Sequence, residues 1–357
     1  MCKDPSSMKQ LNAVAIAAVA AILVVTFGSG CSPQVKIDIG RLVVAHQDAS
    51  WMDWSIDDTT LYWKAPNETS QYTLHAVDVQ TGAVHSVIDG HDDADSPTLA
   101  AGDSMLFFMA GRTDAGSLLF QAPLAYGRAG TAVPIATNVW RYVVSLDGTR
   151  VALVQAGTGE LSTIDVGTGM RQTFGPGEPT AFSPDGTRLL GVTTANGAST
   201  YFLADPVTGA SEPLAIPGNR TVTVLSWEGG SPRRVLPYEQ STIVDVMTGQ
   251  TQQLPNGFWR LQALSGDPAE PSEGYFWGGQ CLESQVDEVG EALCVTNQGL
   301  LYRVDLNTGR SDVVAEAYGG LPVDFAVSQD GRLLATRIDL DRVENPSIYV
   351  KTLSPPP

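Results

Sequence analysis

The sequence predicts an all-β protein, a β-propeller in which a unit of about 40 residues and four short strands repeats around a ring. Three observations lead there. The phrase Asp-x-x-Thr-Gly occurs five times, at Asp78–Gly82, Asp165–Gly169, Asp205–Gly209, Asp245–Gly249 and Asp305–Gly309. Successive copies lie 87, 40, 40 and 60 residues apart, so one copy is missing and one unit is stretched. A second phrase, Ser-x-Asp then Gly or a polar residue, precedes apolar runs at Ser55–Asp58, Ser145–Gly148, Ser183–Gly186 and Ser328–Gly331, with a degraded form at Ala101–Ser104. Finally, 36 glycines and 22 prolines among 357 residues suit a fold with many tight turns.

The chain opens on a targeting segment, residues 1–31, that stands apart from the fold. Lys3 and Lys9 precede Leu11 to Phe27, an apolar stretch of 17 residues without a charge. A spanning helix needs about 20. Gly28-Ser29-Gly30-Cys31 resembles the lipobox of bacterial lipoproteins, with Gly28 where that pattern carries Leu. The resemblance implies cleavage before Cys31 and its acylation. An ordinary secretory signal and an uncleaved anchor are the alternatives, and Met8-Lys9 offers a second start for the same signal. Residues 32–40 then form a short tether.

Each repeat reads as strand, Ser-x-Asp turn, strand, loop, strand, Asp-x-x-Thr-Gly turn, strand. Seven units follow, with six or eight as alternatives: 44–90, 92–136, 138–174, 178–216, 220–255, 258–316 and 321–353. In the second, Gln121–Gly127 replaces the Asp-x-x-Thr-Gly turn; in the fifth, Trp227-Glu228-Gly229-Gly230 stands where Ser-x-Asp-Gly belongs. The last offers only three strands, 323–327, 332–338 and 347–353. A strand near the N-terminus, from Val35–Ile39 or Leu42–Val44, is expected to complete it, so that pairing of the two chain ends closes the ring and removes exposed edges. The propeller spans 41–353, and 354–357 is a Pro-rich tail.

Both repeated aspartates are read as turn chemistry. Their carboxylates cap backbone amides while Gly takes the left-handed position. Phe182-Ser183-Pro184-Asp185-Gly186-Thr187-Arg188-Leu189 resembles the repeat of TolB-like, WD40-like β-propeller proteins. The likeness covers residues 40–353 as an architecture and is close around 138–216 and 321–353. It implies a propeller at the cell envelope.

The formal charge is −18, or −19 once residues 1–30 with Lys3, Lys9 and Asp4 are removed. Such a surface repels nucleic acid and anionic lipid headgroups. Attachment to a membrane then falls to the acyl chains on Cys31, two or more of which hold stably. Cys2 lies in the removed segment, which leaves Cys281 and Cys294 as a pair in an oxidising compartment.

These two cysteines lie in the stretched sixth unit, where residues 261–302 hold seven acids and no Lys or Arg. The acids are Asp267, Glu270, Glu273, Glu283, Asp287, Glu288 and Glu291. Cys281 and Cys294 flank Asp287-Glu288 symmetrically, as facing positions on an extended hairpin would. A disulfide there would close 12 intervening residues, contributing about 2–4 kcal/mol. One reading is a stapled surface hairpin; the other is a rigid acidic finger that meets a protein partner through Glu283, Asp287, Glu288 and Glu291 with Tyr275, Phe276 and Trp277 nearby.

No catalytic signature is present: no Gly-x-Ser-x-Gly elbow, His-Glu-x-x-His helix or phosphate loop. All four histidines are early, and His75 and His85 are expected to approach one another as solvated groups on outer strands. His91-Asp92-Asp93-Ala94-Asp95 reads as a solvated acidic turn, lacking the Gly and distal Glu of a calcium loop. The tryptophans are read as packing between blades. No cofactor or metal is called for. The expected function is a non-catalytic, lipid-anchored binding or scaffold protein, exported to the cell membrane or outer membrane and facing the periplasm or surface. The alternative is a propeller enzyme of lactonase or lyase type with a small ligand in the central channel.

Overall fold

The computed structural model describes residues 40–44, 51–66, 72–88, 94–216, 222–237, 242–254, 258–267, 270–286, 292–306, 308, 310–318, 325–338 and 347–354. Among them there is no helix; 28 antiparallel strands form five sheets of four and one sheet of eight. The fold is a β-propeller.

The fourth unit shows how sequence makes a blade. Its strands are Glu178–Phe182, Leu189–Ala195, Ala198–Ala204 and Ser211–Leu214, paired in that order. Leu189, Leu190, Gly191 and Val192 are all buried, because the second strand is covered on both faces by neighbouring blades. A run buried on both sides needs no polar alternation. The fourth strand carries Ser211-Glu212-Pro213 on the outside, all exposed.

The eight-stranded sheet is two repeat units joined by one long strand, Val133–Val144. Its first half pairs with Gly116–Ala125 as the outer strand of one unit, and its second half pairs with Arg150–Gln155 as the inner strand of the next. Asn138, at φ 55°, sits where one role ends and the other begins. Asn tolerates this left-handed backbone better than most residues.

Buried apolar side chains of the described residues fall into seven clusters, each between successive units. One of them joins the last unit to the first: Trp63 and Val77 pack with Ala335, Ile348 and Val350. Each fully buried Leu, Val or Phe contributes roughly 1.5–3 kcal/mol against exposure. Stability is therefore spread around the ring.

Closure comes from the N-terminus, as expected. Arg41–Val44 pairs with Ser347–Thr352 in the order Arg41↔Val350, Leu42↔Tyr349, Val44↔Ile348. Residues 35–39, the other expected closing strand, lie outside the described residues. Gly40 makes the entry: at φ 81° its α-carbon passes so near the backbone that a Cβ would lie 2.4 Å from the Val350 carbonyl oxygen.

Antiparallel order puts both repeated turns at the same end of every blade, since they join first to second and third to fourth strands. The opposite end carries the loops between second and third strands. At the first end the expected turn chemistry is observed. Ser183 is buried; its Oγ donates to Asp185 Oδ1 at 2.6 Å and accepts from Arg188 N at 2.9 Å. Ser55, Ser145 and Ser328 repeat the bond to their Asp at 2.6–2.7 Å. In the other phrase, Asp Oδ1 accepts from the Thr amide at 2.8–3.0 Å in all five copies. These bonds hold the Asp185 and Asp205 carboxyls below the usual range; for Asp185 the Ser183 hydroxyl is the largest cause, for Asp205 the Thr208 amide.

Candidate functional site

Two concave sites open from this framework. The first is a crevice of about 530 Å³ between the first and second blades, at the turn end. The second blade departs from the repeat at both of its turns there. In place of Ser-x-Asp-Gly, Ala101, Gly102 and Asp103 take φ 54°, 62° and 61° in succession. Three left-handed residues in a row are costly for L-amino acids. Ala101 has no hydroxyl to organise the turn, and Asp103 instead reaches across to accept the Ile56 amide of the first blade.

In place of Asp-x-x-Thr-Gly, the second blade makes a two-residue hairpin. Leu124 pairs with Ala129 and Ala125 with Arg128, leaving Tyr126 and Gly127 at the tip with φ 50° and 71°. Such a turn favours Asn or Gly at the first position, and a bulky residue at positive φ is an outlier. Tyr126 is 99% exposed. The hairpin is pinned from the first blade: His85 Nε2 lies 3.0 Å from the Gly127 carbonyl and donates to it, and Ala129 N donates to Val87 O at 2.8 Å.

The crevice floor is acidic and hydroxylic. Asp57, Asp78 and Asp103 line it with Tyr62, and no lysine or arginine does. Asp57 Oδ1 is occupied by Ser55 Oγ, Thr59 N and Thr59 Oγ1, and Asp78 Oδ1 by Gln80 N and Thr81 N. Hydrogen bonds from Ser55 and from the Thr81 amide hold these two carboxyls low, hence ionised. Asp103 is pushed up, first by burial and also by the charge of Asp57. Beside it, Asp53 faces Tyr62 across the ladder, and burial pushes its carboxyl up to about 7. Burial raises the Tyr62 phenol as well, with the charges of Asp103, Asp57 and Asp53 adding to it.

The second site, of about 390 Å³, lies on the wall of the central channel. First strands of neighbouring blades touch one another, which makes them the innermost layer. Thr98, Tyr142, Val144, Thr180, Phe182 and Trp227 from four blades line this cavity, so its wall is apolar and hydroxylic. Tyr142 is buried there, and its hydroxyl lies within hydrogen-bonding reach of the carbonyls of Ser96 and, at 3.0 Å, Phe107.

The residues singled out from the sequence are placed elsewhere. Cys31, Asp287, Glu288 and Glu291 lie outside the described residues, as do His46 and His91. The extended hairpin is present in the backbone: Glu270–Val286 pairs with Ala292–Asp305 beyond the point where the flanking strands stop, at Gly278 and Gln298. Glu283 is on that extension, opposite Thr296. Tyr275, Phe276 and Trp277 are not; they sit in the body of the blade, paired on both sides.

The two cysteines do not face each other, contrary to expectation. Cys281 pairs with Asn297 and Cys294 with Ser284. The pairing Val286↔Ala292 centres the hairpin on position 289, not on Asp287-Glu288. Three ladder positions separate the cysteines, roughly 10 Å at ~3.3 Å per residue, against the ~7 Å limit for bridged α-carbons.

The histidine expectation also fails. His75 pairs with Ser86 and Ala76 with His85, so the two imidazoles project from opposite faces of the sheet. His75 stacks on Trp63 at 5.3 Å, and burial lowers its pKa. Asp95 is no solvated turn residue either, since it takes part in a strand and holds Lys64 Nζ at 2.7 Å. Tyr126 and Asp103 were missed as site residues. The signal available was that both repeat phrases fail in the same unit.

No family model matches the chain, and no curated protein sequence does. Solved structures do. An oligogalacturonate lyase from Vibrio parahaemolyticus is 12% identical, with 86% of this chain and 90% of that one covered and a TM-score of 0.57. A chain of the mitotic checkpoint complex is 13% identical over 93% of this chain and 100% of that one, with a TM-score of 0.54. TolB from Acinetobacter baumannii is 16% identical over 74% and 65%, with a TM-score of 0.47. At such identities the likeness to the lyase and to the checkpoint chain is one of fold, and the class it gives is the β-propeller.

Proposed function

We propose that this chain is a non-catalytic, seven-bladed propeller of the bacterial cell envelope, anchored by lipid on Cys31, that binds a protein partner through its turn end. The observation that carries this reading is the set of large apolar side chains held out to solvent on those turns: Ile56, Tyr126, Leu146, Met170, Val207 and Met247, each more than half exposed. Exposed apolar side chains gathered on one face mark contact surfaces. The apolar and hydroxylic channel wall supports binding in preference to acid–base chemistry. The blade count rests on dividing the eight-stranded sheet at Asn138. The lipobox-like segment, the acidic charge and the TolB-like phrases support the envelope address.

Crosslinking in native membranes tests the reading. Val207→Glu combined with Met247→Glu is expected to abolish the captured band, and Cys31→Ala to abolish fatty-acid labelling. Undiminished capture would overturn the turn-end surface; undiminished labelling would overturn the anchor. Replacing Glu283, Asp287, Glu288 and Glu291 by neutral residues tests the acidic hairpin, at the other end of the blade, as a second contact.

A further inference from the structure

The cavity on the channel wall owes its shape to a departure from the repeat in the fifth blade. In the first, third and fourth blades the last rungs between first and second strands are Trp54↔Leu61, Val144↔Val151 and Phe182↔Leu189, and residues 55–60, 145–150 and 183–188 make the turn. In the fifth blade the matching rung is Val224↔Val235, since Arg234 and Arg150, just before Val235 and Val151, each pair with the Asp of an Asp-x-x-Thr-Gly turn. There residues 225–234 carry the ladder on to Glu228↔Ser231 and turn at Gly229 and Gly230, with φ 57° and 78°. The hairpin is longer than its counterparts and prolongs an innermost strand beyond the turn end.

Its register shifts twice, between Val224 and Ser226 and between Ser226 and Trp227. Bulges re-aim the side chains next to them. Trp227 packs in part against the core between the fourth and fifth blades, and it also lines the cavity together with residues of the second, third and fourth. Ser145, Leu146, Ser183 and Pro184 place that cavity at the turn-end mouth of the channel.

The wall decides the charge of what can enter. The chain carries a formal charge of −18, yet no Asp, Glu, Lys, Arg or His lines this cavity. Burial pushes the Tyr142 phenol up, so that group is uncharged as well. An ion entering would give up hydration without gaining a charged partner. Trp227, Phe182 and Pro184 supply apolar surface, and Thr98 and Thr180 add hydroxyls. A concave space of about 390 Å³ with such a wall has the size and make-up of a small-molecule site.

We propose that the channel mouth binds a small uncharged molecule bearing a flat ring, held against Trp227 and Phe182 with its polar edge on the Thr180 hydroxyl. This goes beyond the turn-end protein contact, whose exposed apolar side chains share only Leu146 with the cavity.

Fluorine NMR of the full chain labelled with fluorotryptophan tests it, with β-naphthol as the neutral probe and β-naphthoate as its charged counterpart. The resonance missing from Trp227→Phe identifies Trp227. It is expected to shift saturably with β-naphthol, and β-naphthoate should bind at least about tenfold more weakly. Thr180→Val should weaken β-naphthol about threefold to tenfold. Glu212→Gln, an exposed acid of the fourth blade, should leave binding unchanged. Val207→Glu with Met247→Glu should also leave it unchanged, so the protein contact and this site can fail separately. No shift of the Trp227 resonance, equal shifts of every tryptophan, or β-naphthoate binding as tightly as β-naphthol would overturn the proposal. So would crosslinked capture lost in Trp227→Ala while the native chain binds no β-naphthol, which assigns the cavity to the protein partner. Circular dichroism of each variant checks that the ring is intact.

Discussion

The fourth blade and the second occupy equivalent places in the ring and use their turn end in opposite ways. In the fourth, Ser183 and Asp185 close on their own backbone, and Asp205 caps the amides of Val207 and Thr208. Both repeat carboxylates cap backbone amides of their own blade. In the second, Ala101 replaces the serine, Asp103 reaches into a neighbouring blade, and a tyrosine stands in left-handed backbone where a glycine or asparagine would be at ease. Repetition marks where polar chemistry serves shape. Its loss marks where the same positions are free for something else.

The largest test of that contrast is at the buried serine. Ser183→Ala leaves Asp185 and the Arg188 amide short of a bond, and is expected to lower stability by about 1–3 kcal/mol in urea denaturation. The reciprocal Ala101→Ser should change stability by less than about 0.5 kcal/mol, because the second blade's turn is not built around a hydroxyl. A gain at Ala101 matching the loss at Ser183 would erase the distinction between the blades.

The next effect depends on pH. Asp53, paired with Tyr62 across the ladder, has its carboxyl raised from 3.8 to about 7, first by burial and also by the charge of Asp103. A raised carboxyl binds its proton more tightly in the folded state. Its contribution is thus full below about pH 4 and is lost as pH rises towards 7. Asp53→Asn removes that loss, so it should stabilise by about 1–2 kcal/mol at pH 8 and by nothing at pH 3.5. Paired denaturant melts at the two pH values check it, and a benefit that grew on acidification would contradict the placement.

A smaller pair concerns backbone strain. Gly169, at φ 71° in a regular turn with open space around it, should lose about 1 kcal/mol on Gly169→Ala. Tyr126→Gly should gain about 0.5–1 kcal/mol. Thermal melts of the two variants moving in the same direction would show that the tyrosine turn is not strained. The smallest effect is expected at Glu283→Gln on the hairpin extension, within about 0.5 kcal/mol in the same melts.

Much of the fold was legible because a turn announces itself locally. Ser-x-Asp and Asp-x-x-Thr-Gly each lie within a few residues, and their bonds close over two to five positions, as Ser183 to Asp185 and Arg188 show. The closing strand was legible because the last unit was one strand short. The crevice was not, since it exists only when the turns of two blades meet; nothing near Asp103 in the sequence names Ile56 as its partner. The pairing of His85 with Gly127 is hidden for the same reason. The cysteine register failed on a different ground. Symmetry about an acidic pair does not set a hairpin's centre; turn position and cross-strand pairing do, and they put Ser284 opposite Cys294.

The long strand Val133–Val144 has a dynamic consequence for the crevice. Because one continuous strand is hydrogen-bonded into both the second and the third blade, these two cannot separate without breaking a ladder. On its other flank the second blade meets the first through side-chain packing and a few turn bonds, and that flank holds the crevice. Parting the second blade from the first would break only isolated bonds, whereas parting it from the third would break a ladder. The flank it shares with the first blade is the wall that carries Asp103 and Tyr126.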